Sequence, residues 1–219
     1  MNHGTNGLGR LAALAMAAAL LALWPAAAMA QTVDGAATAI QASVLGMSTA
    51  LADTGPLADA QDLRESSEPT AAILSVGSAG VLHAATGSST NTPQPFVASE
   101  SSLADLALSV AGNSVSAAFV MARAIAPQGG TPVGTSEFDA LSVNGMAVPV
   151  SGAPNQMVSL LGGRLVLNEQ IASTAGTTVN ALHLVVDGIA DVVIASAKAG
   201  TGSGGSSVPP PILPPLPLF

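Results

Sequence analysis

Thr178–Ala199, TVNALHLVVDGIADVVIASAKA, sets two runs rich in Val and Ile on either side of Asp187-Gly188. Asp-Gly between such runs is a strong short-range signal for a β-hairpin, because tight two-residue turns need positive φ at their centre. The stretch predicts the closing hairpin of a β domain, and the chain upstream repeats its grammar. Residues 156–170, QMVSLLGGRLVLNEQ, give two more apolar arms joined at Gly162-Gly163. Leu141-Ser142-Val143 runs over Asn144-Gly145 into Val148-Pro149-Val150, and Leu106–Val110 runs over Gly112-Asn113 into Val115–Ala124. Ile73–Gly77 leads likewise into Val81–Ala84.

Three Leu-Ser-Val tripeptides start at positions 74, 108 and 141, each just before a Gly turn. A regular period of this kind has two physical readings, the coils of a solenoid or the successive hairpins of a sandwich. The segments between the tripeptides differ in length and content, which favours hairpins over stacked identical coils. Residues 31–52 are rich in Ala, Ser and Thr and read as one or two strands. Residues 53–70 hold five of the 13 acidic residues and are punctuated by Gly55-Pro56 and Pro69, so they read as a solvated loop with one helical turn near 57–64. Their spacing matches no EF-hand pattern. Residues 87–102 and 127–137, dominated by Gly, Pro, Ser and Thr, read as surface loops.

The two ends of the chain differ from this middle. Arg10 precedes an apolar run over residues 11–24, followed by Pro25 and small residues at Ala28 and Ala30. That is the pattern of a secretory signal peptide over residues 1–30, cut between Ala30 and Gln31; the run is shorter than the ~20 apolar residues a bilayer span requires. No later stretch is long and uncharged enough to be a transmembrane segment. Residues 200–207 read as a flexible Gly/Ser linker, and residues 208–219, VPPPILPPLPLF, as a disordered, Pro-rich tail of extended polyproline character. Its Ile, Leu and Phe side chains suit a groove that accepts polyproline.

Composition narrows the function classes. One of the 5 basic residues, Arg10, lies in the leader, so the exported chain carries 4 bases against 13 acids, a formal charge of −9. This argues against nucleic acid and against an anionic membrane surface as partners. With no Cys, no disulfide staples the fold, and thiolate metal sites are excluded. The only rings between residues 31 and 199 are Phe96, Phe119 and Phe138, so the core is aliphatic, and the Trp and Tyr platforms that polar ligands stack on are missing.

Leu141-Ser-Val-Asn-Gly-Met-Ala-Val-Pro-Val150, Pro154-Asn155, Leu165-Val-Leu-Asn-Glu-Gln170, Val179-Asn-Ala-Leu-His183 and Ala190-Asp-Val-Val-Ile-Ala-Ser-Ala197, in that order, resemble the bacterial choice-of-anchor P family. The resemblance implies an exported bacterial protein whose C-terminal segment serves as a surface-sorting signal. The chain departs from anchored members in lacking an LPxTG-type motif, a Pro-Glu-Pro tract and a hydrophobic helix with a basic end.

Catalytic signatures are sparse. His83 and His183 accompany many Ser and Asp residues, yet there is no G-x-S-x-G elbow. Gly200–Gly205 satisfies G-x-G-x-x-G but runs into prolines, so no helix N-terminus follows to hold a pyrophosphate. One constellation remains: Asn168, Glu169, Gln170, Asn180, His183 and Asp191 lie in or beside the most apolar strands. Such groups are either exposed on one sheet face or buried and hydrogen-bonded, since an unpaired buried group costs about 1–3 kcal/mol. The expectation is a structural cluster, with a carboxylate and imidazole cation site as the alternative.

The sequence thus predicts a single all-β domain over residues 31–199, an antiparallel β-sandwich with a β-solenoid as the alternative. The expected function is that of a secreted or cell-surface structural or interaction module, without cofactor or catalysis, facing a protein or cell-envelope partner. A periplasmic or extracellular protein with a small-ligand or calcium site is the second reading, and an exported hydrolase the third.

Overall fold

The computed structural model describes residues 31–203 apart from Thr90 and Ala175, and the backbone alone of Gln31 and Ser203. The expected signal peptide over residues 1–30 and the expected disordered tail lie outside the described residues. Strands β1 (Gln31–Val44), β2 (Met47–Asp53), β10 (Gln156–Leu160), β11 (Gly163–Ala172), β12 (Gly176–Val186) and β13 (Ala190–Ser203) form one antiparallel sheet, in the order β10-β11-β12-β13-β1-β2. The second sheet runs β3 (Leu63–Ile73), β4 (Gly77–Ser89), β5 (Phe96–Val110), β6 (Asn113–Pro127), β8 (Ser142–Val143) and β9 (Met146–Ala147), with β7 (Val133–Asp139) also paired to β6. The sheets face each other, β13 against β5 and β6 and β1 against β4 and β5, over one aliphatic core. This is the two-sheet architecture expected of a β-sandwich. Among the described residues no helix is long and apolar enough to cross a membrane.

The hairpin turns explain the registers. Leu45-Gly46, Ala111-Gly112 and Asn144-Gly145 all have positive φ at both positions, the signature of type I′ turns, whose twist matches that of the paired strands. Asp187-Gly188 does close the β12–β13 hairpin, through a three-residue connection between Val186 and Ala190. Whereas the short β11–β12 connection lies at one end of the sandwich, six short hairpin turns, those after β1, β3, β5, β8, β10 and β12, lie at the other. Asn113 ties the two sheets there, donating to the Leu161 carbonyl at 3.0 Å and accepting from the Leu161 amide at 2.8 Å.

The three Leu-Ser-Val tripeptides fall at the β3–β4 turn (residues 74–76), at the end of β5 before Ala111-Gly112 (108–110) and at β8 before Asn144-Gly145 (141–143), so they mark hairpins of the sandwich, as the preferred reading expects, and not coils of a solenoid. Other expectations change. Residues 63–70 are strand, with no helical turn before them; only 54–62 form the acidic connection. Most of 87–102 is paired strand, because its small residues are what closely approaching sheets demand. Gly35 of β1 would place a Cβ 2.6 Å from both Leu57 Cδ1 and Thr86 Oγ1, so a larger residue is barred there. Ser99, buried in the same region, bonds Thr86 Oγ1 at 2.7 Å and donates to the Lys198 carbonyl at 2.6 Å. The domain also continues past Ala199: residues 200–203, read as linker, pair with residues 31–34 as the end of β13.

A crease crosses each sheet. In β1 the inward residues are Gly35, Ala37 and Ala39, then Ile40, Ala42 and Val44; in β13 they are Ala190, Val192 and Ile194, then Ala195, Ala197 and Ala199. The alternation changes phase between adjacent residues while the register holds. Left-handed residues mark the line: Ala52 (φ 46°), Asn168 (φ 50°) and Ala195 (φ 53°) in the first sheet, Val81 (φ 47°), Asp105 (φ 50°) and Ala140 (φ 51°) in the second. A left-handed residue in a strand re-aims the side chains on either side of it, and only between β4 and β5 does a shift of register, the mark of a bulge, accompany it.

Candidate functional site

The outward face of the first sheet carries a polar row along its crease. Register places Glu169 beside Asn180, Asn180 beside Ser196, Ser196 beside Thr38 and Thr38 beside Asp53, one residue from each of five adjacent strands. Ser196 Oγ donates to Asn180 Oδ1 at 2.8 Å, and Asn180 Nδ2 donates to Glu169 Oε2 at 2.7 Å. The same Glu169 oxygen lies 2.9 Å from His183 Nδ1, whose Nε2 lies 3.0 Å from Asp191 Oδ1. On the far side of the row Thr38 donates to Asp53 Oδ1 at 2.8 Å and accepts from Gln41 Nε2 at 3.2 Å.

Burial makes these bonds matter. Thr38 and Asn180 are buried although they point away from the core, and the side chains of Glu169 and His183 are each only 19% exposed; Asp191, at 59%, is open to water. Shielded polar groups must be paired, and here each donor of the row has an acceptor. Both imidazole nitrogens face carboxylate oxygens, so the two bonds are made together only by the doubly protonated ring.

Of the six residues singled out in the sequence, Glu169, Asn180, His183 and Asp191 come together in this network. Asn168 and Gln170 do not join it. The phase change at Asn168 turns both to the other side of the strand, where they stitch the sandwich's flank. Asn168 Nδ2 donates to the Gly152 carbonyl at 3.1 Å; Gln170 Nε2 donates to the Gly134 carbonyl at 2.9 Å and to Asn168 Oδ1 at 3.1 Å. Both residues border a 420 Å³ cleft with Gly134, Gly152 and Pro154. Asp191 borders a separate 400 Å³ hollow beside Leu45 and Ile189, which neither Glu169 nor His183 lines. Thr38, Gln41 and Asp53 had no signal in the sequence, because they reach the row only through the pairing of β1 with β13, the first strand with the last; Ser196 was missed although it joins Asn180 across the β12–β13 hairpin.

Chemically, the network is closed on itself. The Ser-to-imidazole bond that nucleophilic catalysis uses is not among its contacts: Ser196 donates to an amide oxygen, and the His183 nitrogens are occupied by carboxylates. Among the described residues no three His, Asp or Glu side chains are arranged to hold a metal ion. Of the other charged pairs, Arg123–Glu100 at 2.6 Å and Lys198–Asp34 at 2.7 Å join neighbouring strands, whereas Arg64–Asp62 is local. Asp62, at the foot of the acidic connection, accepts from the Ala58 amide and from Arg64 Nε, both at 2.8 Å, and these hold its carboxyl below the usual aspartate value of 3.8.

Comparison with protein-family models, with curated proteins and with solved structures found no match to this chain.

Proposed function

We propose that this chain is an exported surface module that acts by presenting a face to a partner protein or envelope component, without chemistry of its own. The observation that carries the reading is the division of the sandwich into two unlike ends. One end gathers six tight turns and carries large apolar side chains at their tips: Leu45, Leu161 and Met146 are each 72% exposed and Met47 is 57% exposed. The opposite end holds residues 31 and 203, where the described chain enters and leaves. A module tethered at one end and apolar at the tips of the other has the build of an adaptor. Leu45 strengthens the point, since it occupies a left-handed turn position where Asn or Gly is the favoured choice.

Export is supported by the charged, apolar and small-residue pattern of residues 1–30 and by the ordered motifs that resemble choice-of-anchor P proteins. The test has two parts. Intact mass of protein recovered outside the cytoplasm should correspond to a chain beginning at Gln31; a species retaining residues 1–30 in the membrane fraction would overturn the export reading. A Leu45→Ser, Leu161→Ser, Met146→Ser variant should fold with an unchanged circular dichroism spectrum and lose retention on the producing cells. Retention equal to that of the unmodified chain would refute the tip surface.

A further inference from the structure

The outer face of the second sheet, near the end where β13 leaves the domain, carries an apolar trough. Register lines up Leu63, Gly87, Ala98, Ile125 and Val133 across five strands. The floor is Gly87 and Ala98; Leu63 and Ile125 stand on either side, and Phe96 closes the row toward the sandwich end. Leu63 leans over the glycine, so that a Cβ on Gly87 would come within 3.1 Å of its Cδ1. The cavity measures 630 Å³, inside the ~300–1,000 Å³ range typical of ligand clefts, and the Glu100–Arg123 ion pair forms its polar boundary. Leu63 is 80% exposed and Val133 55%, so the row presents large apolar side chains to solvent.

We propose that this trough is the docking site of the chain's own residues 208–219. Three observations point to that occupant. The first is chemistry: a sheet face offers no free backbone groups, so it suits a segment with few N–H donors to satisfy. Six of the twelve residues in VPPPILPPLPLF are Pro, which have none, and the others are Val, Ile, Leu and Phe. The second is place. Thr201, near the end of β13, donates to the Pro127 carbonyl at 3.4 Å, and Pro127 pairs with Phe96, which lines the trough. The third is reach. Residues 204–207, GGSS, span at most about 13 Å when extended, and about 3.1 Å is added by each polyproline residue that follows. Sheets pack about 10 Å apart, and the apolar row crosses four strand spacings of about 4.8 Å, so about six tail residues fill it. A short flexible tether raises the local concentration of the tail to the millimolar range, which favours the chain's own trough over that of a second copy.

The test exploits the scarcity of aromatic residues. In the full chain carrying Trp24→Phe and Leu213→Trp, the single Trp reports on the middle of the tail. It should show blue-shifted emission and a several-fold lower acrylamide quenching constant than the same chain in denaturant, independent of protein concentration. Adding Ala98→Glu, an outward-facing change on the trough floor, should return quenching to the free value with the circular dichroism spectrum unchanged. A freely quenched Trp in the unmodified trough overturns the proposal and leaves the trough to some other ligand. Shielding that appears only at high concentration overturns it in favour of a second copy. Shielding that survives Ala98→Glu places the tail elsewhere and overturns it as well.

Discussion

Replacing Glu169 with Ala removes the carboxylate on which the polar row converges. Its Oε2 accepts from Asn180 Nδ2 at 2.7 Å and faces His183 Nδ1 at 2.9 Å, and Asn180 is only 7% exposed. The variant leaves a buried amide donor without an acceptor, at about 1–3 kcal/mol, and deletes a hydrogen bond to a charged group, a kind that contributes about 1.5–3 kcal/mol. These overlap, since they concern one oxygen, so the net loss should be about 2–3 kcal/mol. For a domain of this size each kcal/mol moves the Tm by about 2–4 °C, which gives a fall of about 5–10 °C by calorimetry or circular dichroism. The double variant Glu169→Ala, Asn180→Ala should lose less than the sum of the single changes, because the orphaned amide is then absent. A chelator should leave the unmodified protein unchanged. A shift below about 1 °C, or additive losses, would refute the account of the row as a bonded unit; destabilisation by chelation alone would show a cation within it.

Ser101 Oγ is the one buried side-chain oxygen without a hydrogen-bond partner among the described residues, so Ser101→Ala should raise stability by about 1 kcal/mol in denaturant titration, and a loss would mean that the hydroxyl is bonded after all. Leu45→Asn should raise the Tm by about 2–4 °C, because Asn tolerates the left-handed turn that costs other L-residues about 1–2 kcal/mol; an unchanged or lower Tm would show that the exposed leucine makes contacts that stabilise the fold. The Asp62 carboxyl is held below 3.8 by the Ala58 amide and by Arg64. Its contribution to ordering residues 54–62 is therefore complete above that value and is lost as pH falls through the lower folded-state value. Protection of the Ala58 amide from hydrogen exchange should drop in acid for the unmodified chain and be missing at every pH in Asp62→Asn.

The fold was legible where local geometry dictates it. Asn144-Gly145 and Gly112 announce their hairpins because positive φ is cheap for those residues, and the apolar arms on either side fix which face is buried. Legibility failed where small residues carry the core. Residues 96–102, with Ala98, Ser99 and Ser101 among them, look like a loop by composition, yet Val97, Ser99 and Ser101 point inward in strict alternation. It failed again at the crease: Val192-Val193-Ile194-Ala195 reads as a continuous apolar run because the inward phase changes within it. The candidate site was half visible for the same reason. Glu169, Asn180 and His183 stand on hairpin-linked strands whose pairing follows from the turns, whereas Thr38 and Asp53 reach the row only through the pairing of the first strand with the last.

The crease and the polar row are one device. A left-handed residue interrupts the ladder: Asn168 opposite Ala181, and Ala52 opposite Ala39, are missing from otherwise continuous pairings. Such a residue costs energy in its own backbone, and Ala52 and Ala195 lack the short polar side chain that makes this conformation easier for Asn. Neighbouring backbone groups find partners from outside the sheet. The Ala52 amide donates to Glu68 Oε1 at 3.0 Å, reaching across to the edge of the other sheet. The Asn168 carbonyl accepts from the Asn155 amide at 2.9 Å, while Asn155 Oδ1 accepts from the Gln170 amide at 3.0 Å. Between these two flanks the phase change leaves Asn180 and Thr38 shielded on the outward face, and the chains Ser196–Asn180–Glu169–His183 and Gln41–Thr38–Asp53 satisfy them. Neutral cross-strand bonds contribute about 0.5–1.5 kcal/mol each and those to a carboxylate about 1.5–3 kcal/mol, enough to offset the cost of one left-handed alanine, about 1–2 kcal/mol. Glu68 Oε1, Glu169 Oε2 and Asp53 Oδ1 thus each accept a hydrogen bond along the crease, and of the residues singled out in the sequence Glu169, His183 and Asp191 are bonded in series.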